Sequence, residues 1–186
     1  DNTSVSGNSI TNITADGNIT AILLGSTNKG TTQGCTGNTI STLTSTGGTV
    51  LGISGGAIGI TTLSVNNNNI NTLSTSGATQ AEAIKIIAAA TINLQKNKIY
   101  GINAQNAAGT AFGIEIATSN TGATYQIANN IVGNITAPLT NNALAIRGIS
   151  VSAVSTTSTF NIYYNTVYLN ANSSGTDFGT AALYLL

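Results

Sequence analysis

Apolar residues recur along this chain in short alternating runs, and one run in each period follows an asparagine. The motif reads Asn8-Ser9-Ile10, Asn38-Thr39-Ile40, Asn68-Asn69-Ile70, Asn97-Lys98-Ile99, Asn130-Ile131-Val132 and Asn165-Thr166-Val167. The intervals are 30, 30, 29, 33 and 35 residues, and a near-fixed period of this length marks a repeat architecture. After each Asn comes a short strand, as in Ile40–Leu43 or Ile99–Ile102. A Gly/Ser/Thr/Asn stretch such as Ser45-Thr46-Gly47-Gly48 follows and suits a turn. A second strand is carried by Ile84-Lys85-Ile86, Ile114-Glu115-Ile116, Ile146-Arg147-Gly148 and Leu183-Tyr184-Leu185. A third is carried by Leu63-Ser64-Val65, Ile92-Asn93-Leu94, Tyr125-Gln126-Ile127 and Phe160-Asn161-Ile162.

Three short strands per period with apolar/polar alternation predict one coil of a β-solenoid. The expected fold is all-β, with about six coils starting near residues 8, 38, 68, 97, 130 and 165 of a single domain, 1–186. Thr, Ile, Val, Asn and Gly dominate the segments and disfavour helix. The one helix-like run, Thr79–Ala90, is expected to be strand at its centre because Ile84 and Ile86 fall on the repeat. Coils at strand spacing, about 4.8 Å, make a rod roughly 30 Å long.

Composition narrows the function classes. Only ten residues are charged, five of each sign, and histidine is absent. Zero net charge argues against a nucleic-acid partner, which demands a basic face. No apolar run approaches a membrane span, and no basic-then-apolar leader opens the chain, so it is expected to be mature or a segment of something longer. Cys35 is the only cysteine, and the equivalent slot elsewhere holds Val5, Val65, Leu94, Ile127 and Ile162, so it is expected in the core. The acids Asp1, Asp16, Glu82, Glu115 and Asp177 are scattered, with only Glu82 (placed at a strand edge) and Glu115 on neighbouring coils. Two carboxylates across a glycosidic bond, or an acidic calcium cluster, are therefore not expected. The expectation is no enzyme, no cofactor and no metal.

Coil length with an Asn at a fixed corner resembles the right-handed parallel β-helix family, which includes pectate lyases, phage tailspikes and autotransporter passengers. The resemblance implies a stacked ladder, each amide bonded to the next, formed by Asn8, Asn38, Asn68, Asn97, Asn130 and Asn165. Asn suits such a corner because it tolerates the left-handed conformation. The segment Asn161–Asn170, followed by Ser174–Thr180, is similar to repeats of very large surface proteins exported by the type IX secretion system. That likeness implies an extracellular protein, with secretion machinery among its partners. Neither end offers an amphipathic helix or charged lid, so either a longer solenoid or end-to-end stacking of copies is expected.

Alignment of the second strands places Lys85, Glu115 and Arg147, with Tyr184 beyond, in one outward column. Such a ladder of surface ions contributes about 0.2–1 kcal/mol per pair. Tyr125 and Phe160 align with Leu63 and Ile92 as an inward stack. Tyr100 and Tyr168 align outward with Gly133 between them, and Tyr163 and Tyr164 precede a ladder Asn; all four are candidates for a glycan or protein interface. Hydroxyl columns four and six residues after the Asn contain one full Thr pair, Thr42 and Thr44. The function expected is a structural or adhesive element of a large secreted or cell-surface bacterial protein: stalk, adhesin or filament. Its partners would be neighbouring coils, copies of itself, glycans or other surface proteins. The alternatives are a non-catalytic part of a polysaccharide-lyase-like enzyme and an ice-binding solenoid.

Overall fold

The computed structural model describes residues 2–25, 31–152 and 155–186. They form strands and turns, with no helix among the described residues. The first coil contains β1 (Asn2–Ser6), β2 (Ser9–Ala15) and β3 (Ile19–Leu24), and the second β4 (Thr31–Thr36), β5 (Thr39–Ser45) and β6 (Val50–Gly55). The third holds β7 (Ile60–Asn66), β8 (Asn69–Thr75) and β9 (Gln80–Ile86). The fourth holds β10 (Thr91–Gln95), β11 (Lys98–Ala104) and β12 (Thr110–Ile116). The fifth is built from β13 (Thr124–Ala128), β14 (Ile131–Thr136) and β15 (Ile146–Val151), and the sixth from β16 (Thr159–Tyr163), β17 (Thr166–Tyr168) and β18 (Thr180–Leu185).

Every strand pairs in parallel with its counterpart one coil away, giving three six-stranded sheets. The first sheet runs β1-β4-β7-β10-β13-β16, the second β2-β5-β8-β11-β14-β17 and the third β3-β6-β9-β12-β15-β18. This is a parallel β-solenoid with three strands per coil, as the period predicts. The helix-like run does become strand, β9.

The core is a set of columns. The second sheet points Ile10, Ile40, Ile70, Ile99, Val132 and Val167 inward in register. The third sheet adds Ile22, Ile53, Ile84, Ile114 and Ile149, with Leu183 next in register but exposed on the last coil. Like side chains stacked at strand spacing bury one another, and each fully buried Ile or Leu contributes about 1.5–3 kcal/mol. Cys35 joins the first sheet's inner column at 0% exposure, and burial pushes its thiol up to about 11, countered in part by the Asn38 amide. Tyr125 stacks flat on Phe160 with ring centroids 4.4 Å apart, as the alignment predicts.

Alternation breaks at fixed points in the coil. Mid-strand in the second sheet, Asn12, Thr42, Thr72, Gly101 and Asn134 all have φ between 50° and 69°. Each is skipped in the pairing, which resumes in the same register beyond it, so all the strands of the sheet turn together at one left-handed position. Mid-strand in the third sheet stand Ala21, Gly52, Ala83, Gly113, Gly148 and Ala182. A Cβ on Gly113 would meet Gly148 O and Val132 Cγ1, both at 2.5 Å, so the close approach of successive coils keeps this column small.

Candidate functional site

The corner between first and second sheets is where the repeat asparagines sit. Their φ angles are ordinary; the left-handed residue is the one before each, at Gly7, Gly37, Asn67, Lys96, Asn129 and Tyr164. The sequence expectation of a left-handed ladder Asn is corrected accordingly: a neighbour makes the sharp turn, which leaves the Asn side chain aimed along the rod axis.

The ladder itself forms as expected. Asn68 donates its backbone N–H and its Nδ2 to Asn97 Oδ1, both at 3.0 Å. Asn97 does the same to Asn130 Oδ1, and Asn130 to Asn165 Oδ1. Asn8 and Asn38 extend the chain backward with identical bonds. The second Nδ2 proton goes to a carbonyl of the preceding coil, as in Asn97 Nδ2 to Val65 O at 2.8 Å and Asn130 Nδ2 to Leu94 O at 2.9 Å. Each interior amide thus uses two donors and accepts two bonds, although Asn38, Asn68, Asn97 and Asn130 are at most 1% exposed. At the next corner buried hydroxyls do related work: Ser45 Oγ donates to Gly17 O and Thr75 Oγ1 to Gly48 O.

Charge gathers elsewhere, on the outer face of the third sheet. Lys85 lies beside Glu115 in the strand register, as the alignment predicts. Arg147 does not join them: Glu115 faces Ser150, and Tyr184 follows Ser150. Arg147 belongs instead to the column Leu51, Glu82, Phe112, Arg147, Ala181. The fifth coil has a longer connection before β15, and β15 offers two apolar–polar pairs, Ile146-Arg147 and Ile149-Ser150. Gly148 fixes the choice, because it continues the small-residue column that precedes Ile53, Ile84 and Ile114. That small-then-aliphatic signal was present in the sequence and would have set the register.

The cluster is also less outward than expected. Glu82 lies inside β9 at 0% exposure, flanked by Leu51 and Phe112, and Glu115 is 6% exposed. Lys85 Nζ bonds Glu82 Oε1 at 3.1 Å and stands 2.9 Å from Glu115 Oε2, an ion pair at an angle that makes no hydrogen bond. Ser152 Oγ donates to Glu115 Oε1, and Arg147 Nη1 donates to Ser150 and Ser152. The guanidinium is sandwiched, 4.8 Å from the Phe112 ring centre and 4.2 Å from that of Tyr184. Burial, then the nearby Glu115, pushes the Glu82 carboxyl up to about 7 despite Lys85. Glu82 Oε2 and Arg147 Nε are buried without a partner. Two acids and two bases here hold four of the chain's ten charges at zero net charge. A carboxyl in the functional pH range marks a candidate site, but a buried ion network shifts it equally, and no substrate reaches a fully buried carboxyl.

The four exposed tyrosines fall near the second corner-facing sheet. Tyr100 is 45% and Tyr168 64% exposed, in one outer column with Gly133 between them, as aligned. Tyr163 and Tyr164 pack edge to face at 5.4 Å, and Tyr163 donates its hydroxyl to Gln126 Oε1. Tyr164 is 82% exposed and left-handed at φ 55°, a strained state for a bulky residue. One column escaped sequence reading: Thr32, Thr62, Thr91, Thr124 and Thr159 stand in register on the outer face of the first sheet. They hide in the sequence because they stand at or near the strand starts, where alternation is weakest.

No protein-family model, curated protein or solved structure matches the chain. The solenoid assignment therefore stands on strand pairing and the asparagine ladder alone.

Proposed function

We propose that this chain is a non-catalytic structural segment, a stiff rod from a large secreted or cell-surface bacterial protein that works as stalk, adhesin or filament. The observation that carries this reading is the unbroken ladder: every coil is tied to the next by the same amide bonds, which supports a mechanical role. Four of its ten charges offset one another in one cluster and the rest are scattered, so hydroxyl and amide groups dominate faces suited to contact with neutral surfaces. Export by a type IX route and the pectate-lyase-like kinship belong to the same proposal and rest on the sequence resemblance. The test is labelling of intact, unpermeabilised cells with antibody raised to this chain. Labelling supports the surface location; labelling only after permeabilisation overturns it.

A second reading has one specific observation behind it. The register of five threonines on a sheet whose strands carry no charged residue favours an ice-binding solenoid. Thermal hysteresis of the purified chain, lost on changing Thr91 and Thr124 to Lys, would support it, and freezing indistinguishable from buffer excludes it.

A further inference from the structure

We propose that the outer face of the second sheet holds a neutral β-1,4-linked glycan along the rod axis, with sugar rings stacked on Tyr100 and Tyr168. The inference deepens the surface-contact reading and rests on it. The two tyrosines share one column and are separated by a single coil, so their strands lie two spacings apart, about 10 Å. In an extended β-1,4 chain each ring turns over relative to the last. The same apolar CH face returns at every second sugar, at close to that same distance. Two rings of the glycan therefore meet two tyrosine faces, and the sugar between them lies over the intervening coil.

That intervening coil is shaped to receive it. Its residue in the column is Gly133, whose φ lies outside the left-handed region. A Cβ there would meet only Tyr168 O at 3.5 Å and Tyr168 Cβ at 3.8 Å, ordinary contacts. Neither backbone geometry nor packing demands glycine at this point, yet its absence of a side chain opens a notch between the rings. Ile131, 51% exposed and two residues earlier on the same strand, supplies an apolar floor beside the notch. Asn134 and Lys98, both exposed, and the partly exposed Thr136 flank it with hydrogen-bonding groups for sugar hydroxyls. β8, β11, β14 and β17 carry no carboxylate and the single cation Lys98, which suits a neutral chain. Tyrosine offers a rigid apolar face and a polar tip, the combination a pyranose needs.

The test is calorimetric titration with cellohexaose and chitohexaose, with maltohexaose as the control whose α-linkages coil the chain. A β-linked hexamer is expected to bind with a dissociation constant below about 1 mM. Tyr100→Ala and Tyr168→Ala should each weaken binding about tenfold, while Tyr168→Phe keeps it. Gly133→Val, whose Cβ the fold has room for, should also weaken it about tenfold by filling the notch. Absence of binding by both β-linked hexamers, equal binding of maltohexaose, or insensitivity to all three substitutions overturns the site. A chain exposed on cells that binds neither hexamer overturns this site alone. A chain confined inside cells that binds through these tyrosines overturns the surface location and leaves the site.

Discussion

Two buried polar systems run along the same rod and solve the same problem differently. The asparagine ladder takes one neutral amide per coil and repeats it, and every interior donor and acceptor is used. The cluster on the third sheet takes Glu82, Lys85, Glu115 and Arg147 once, across three coils, and leaves Glu82 Oε2 and Arg147 Nε unpartnered. Translation along the axis explains the contrast. An amide is both donor and acceptor, so identical copies at strand spacing satisfy one another. A charge stacked on its own copy repels it, so charges must alternate, and the ends of an alternating set stay open. The ladder is therefore expected to stabilise the rod, and the cluster to set register at some cost.

The sharpest way to break the comparison is inside the ladder. Asn97→Ala leaves the backbone N–H and one Nδ2 proton of Asn68 buried without an acceptor, and removes the donor to Val65 O. A loss of about 3–5 kcal/mol in urea unfolding is expected. Next comes Lys85→Ala, which leaves two buried carboxylates uncompensated and should cost about 3 kcal/mol at pH 8, and less in acid where Glu82 takes up a proton.

The pH dependence follows from the Glu82 carboxyl, raised from 4.5 to about 7 in the fold. Between those values the folded state holds the proton and the unfolded state has released it. This contribution therefore falls as pH rises, by an amount on the order of 3 kcal/mol, and levels off above pH 7. Glu82→Gln cannot ionise, so the difference between its urea midpoints at pH 5 and pH 8 should shrink relative to the parent chain. Lys85, Glu115 and Arg147 remain as the charged neighbours in both.

Smaller effects sharpen the picture. Thr42 is β-branched at φ 56°, so Thr42→Gly should raise stability by about 0.5–1 kcal/mol, measured by thermal unfolding. Asn8→Ala should cost less than about 1 kcal/mol, because Asn8 is exposed and no other amide donates to it. An Asn8→Ala loss as large as that of Asn97→Ala would break the distinction between interior and outer rungs.

What the chain displays as text follows from its period. The ladder positions, the inward stack of Tyr125 on Phe160, the core place of Cys35 and the Tyr100–Gly133–Tyr168 column all obey one translation, so alignment at the asparagines finds them. The place of Arg147 does not follow from that translation, because insertions in the fifth coil shift its strand relative to the anchor. Glu82's burial was hidden because it depends on Phe112 packed beside it from the next coil. The left-handed column at Thr42 and Thr72 was hidden because threonine's propensity points to extended strand, and stacking overrides it.

The ladder is expected to lock successive coils together, and hydrogen exchange tests this at single atoms. The backbone N–H groups of Asn68 and Asn97 have side-chain oxygens as their partners, outside the strand pairing. If the ladder holds the rod, they exchange as slowly as the core amides of Ile70 and Ile99, through global unfolding alone. Exchange of these two amides orders of magnitude faster than their strand neighbours would contradict it.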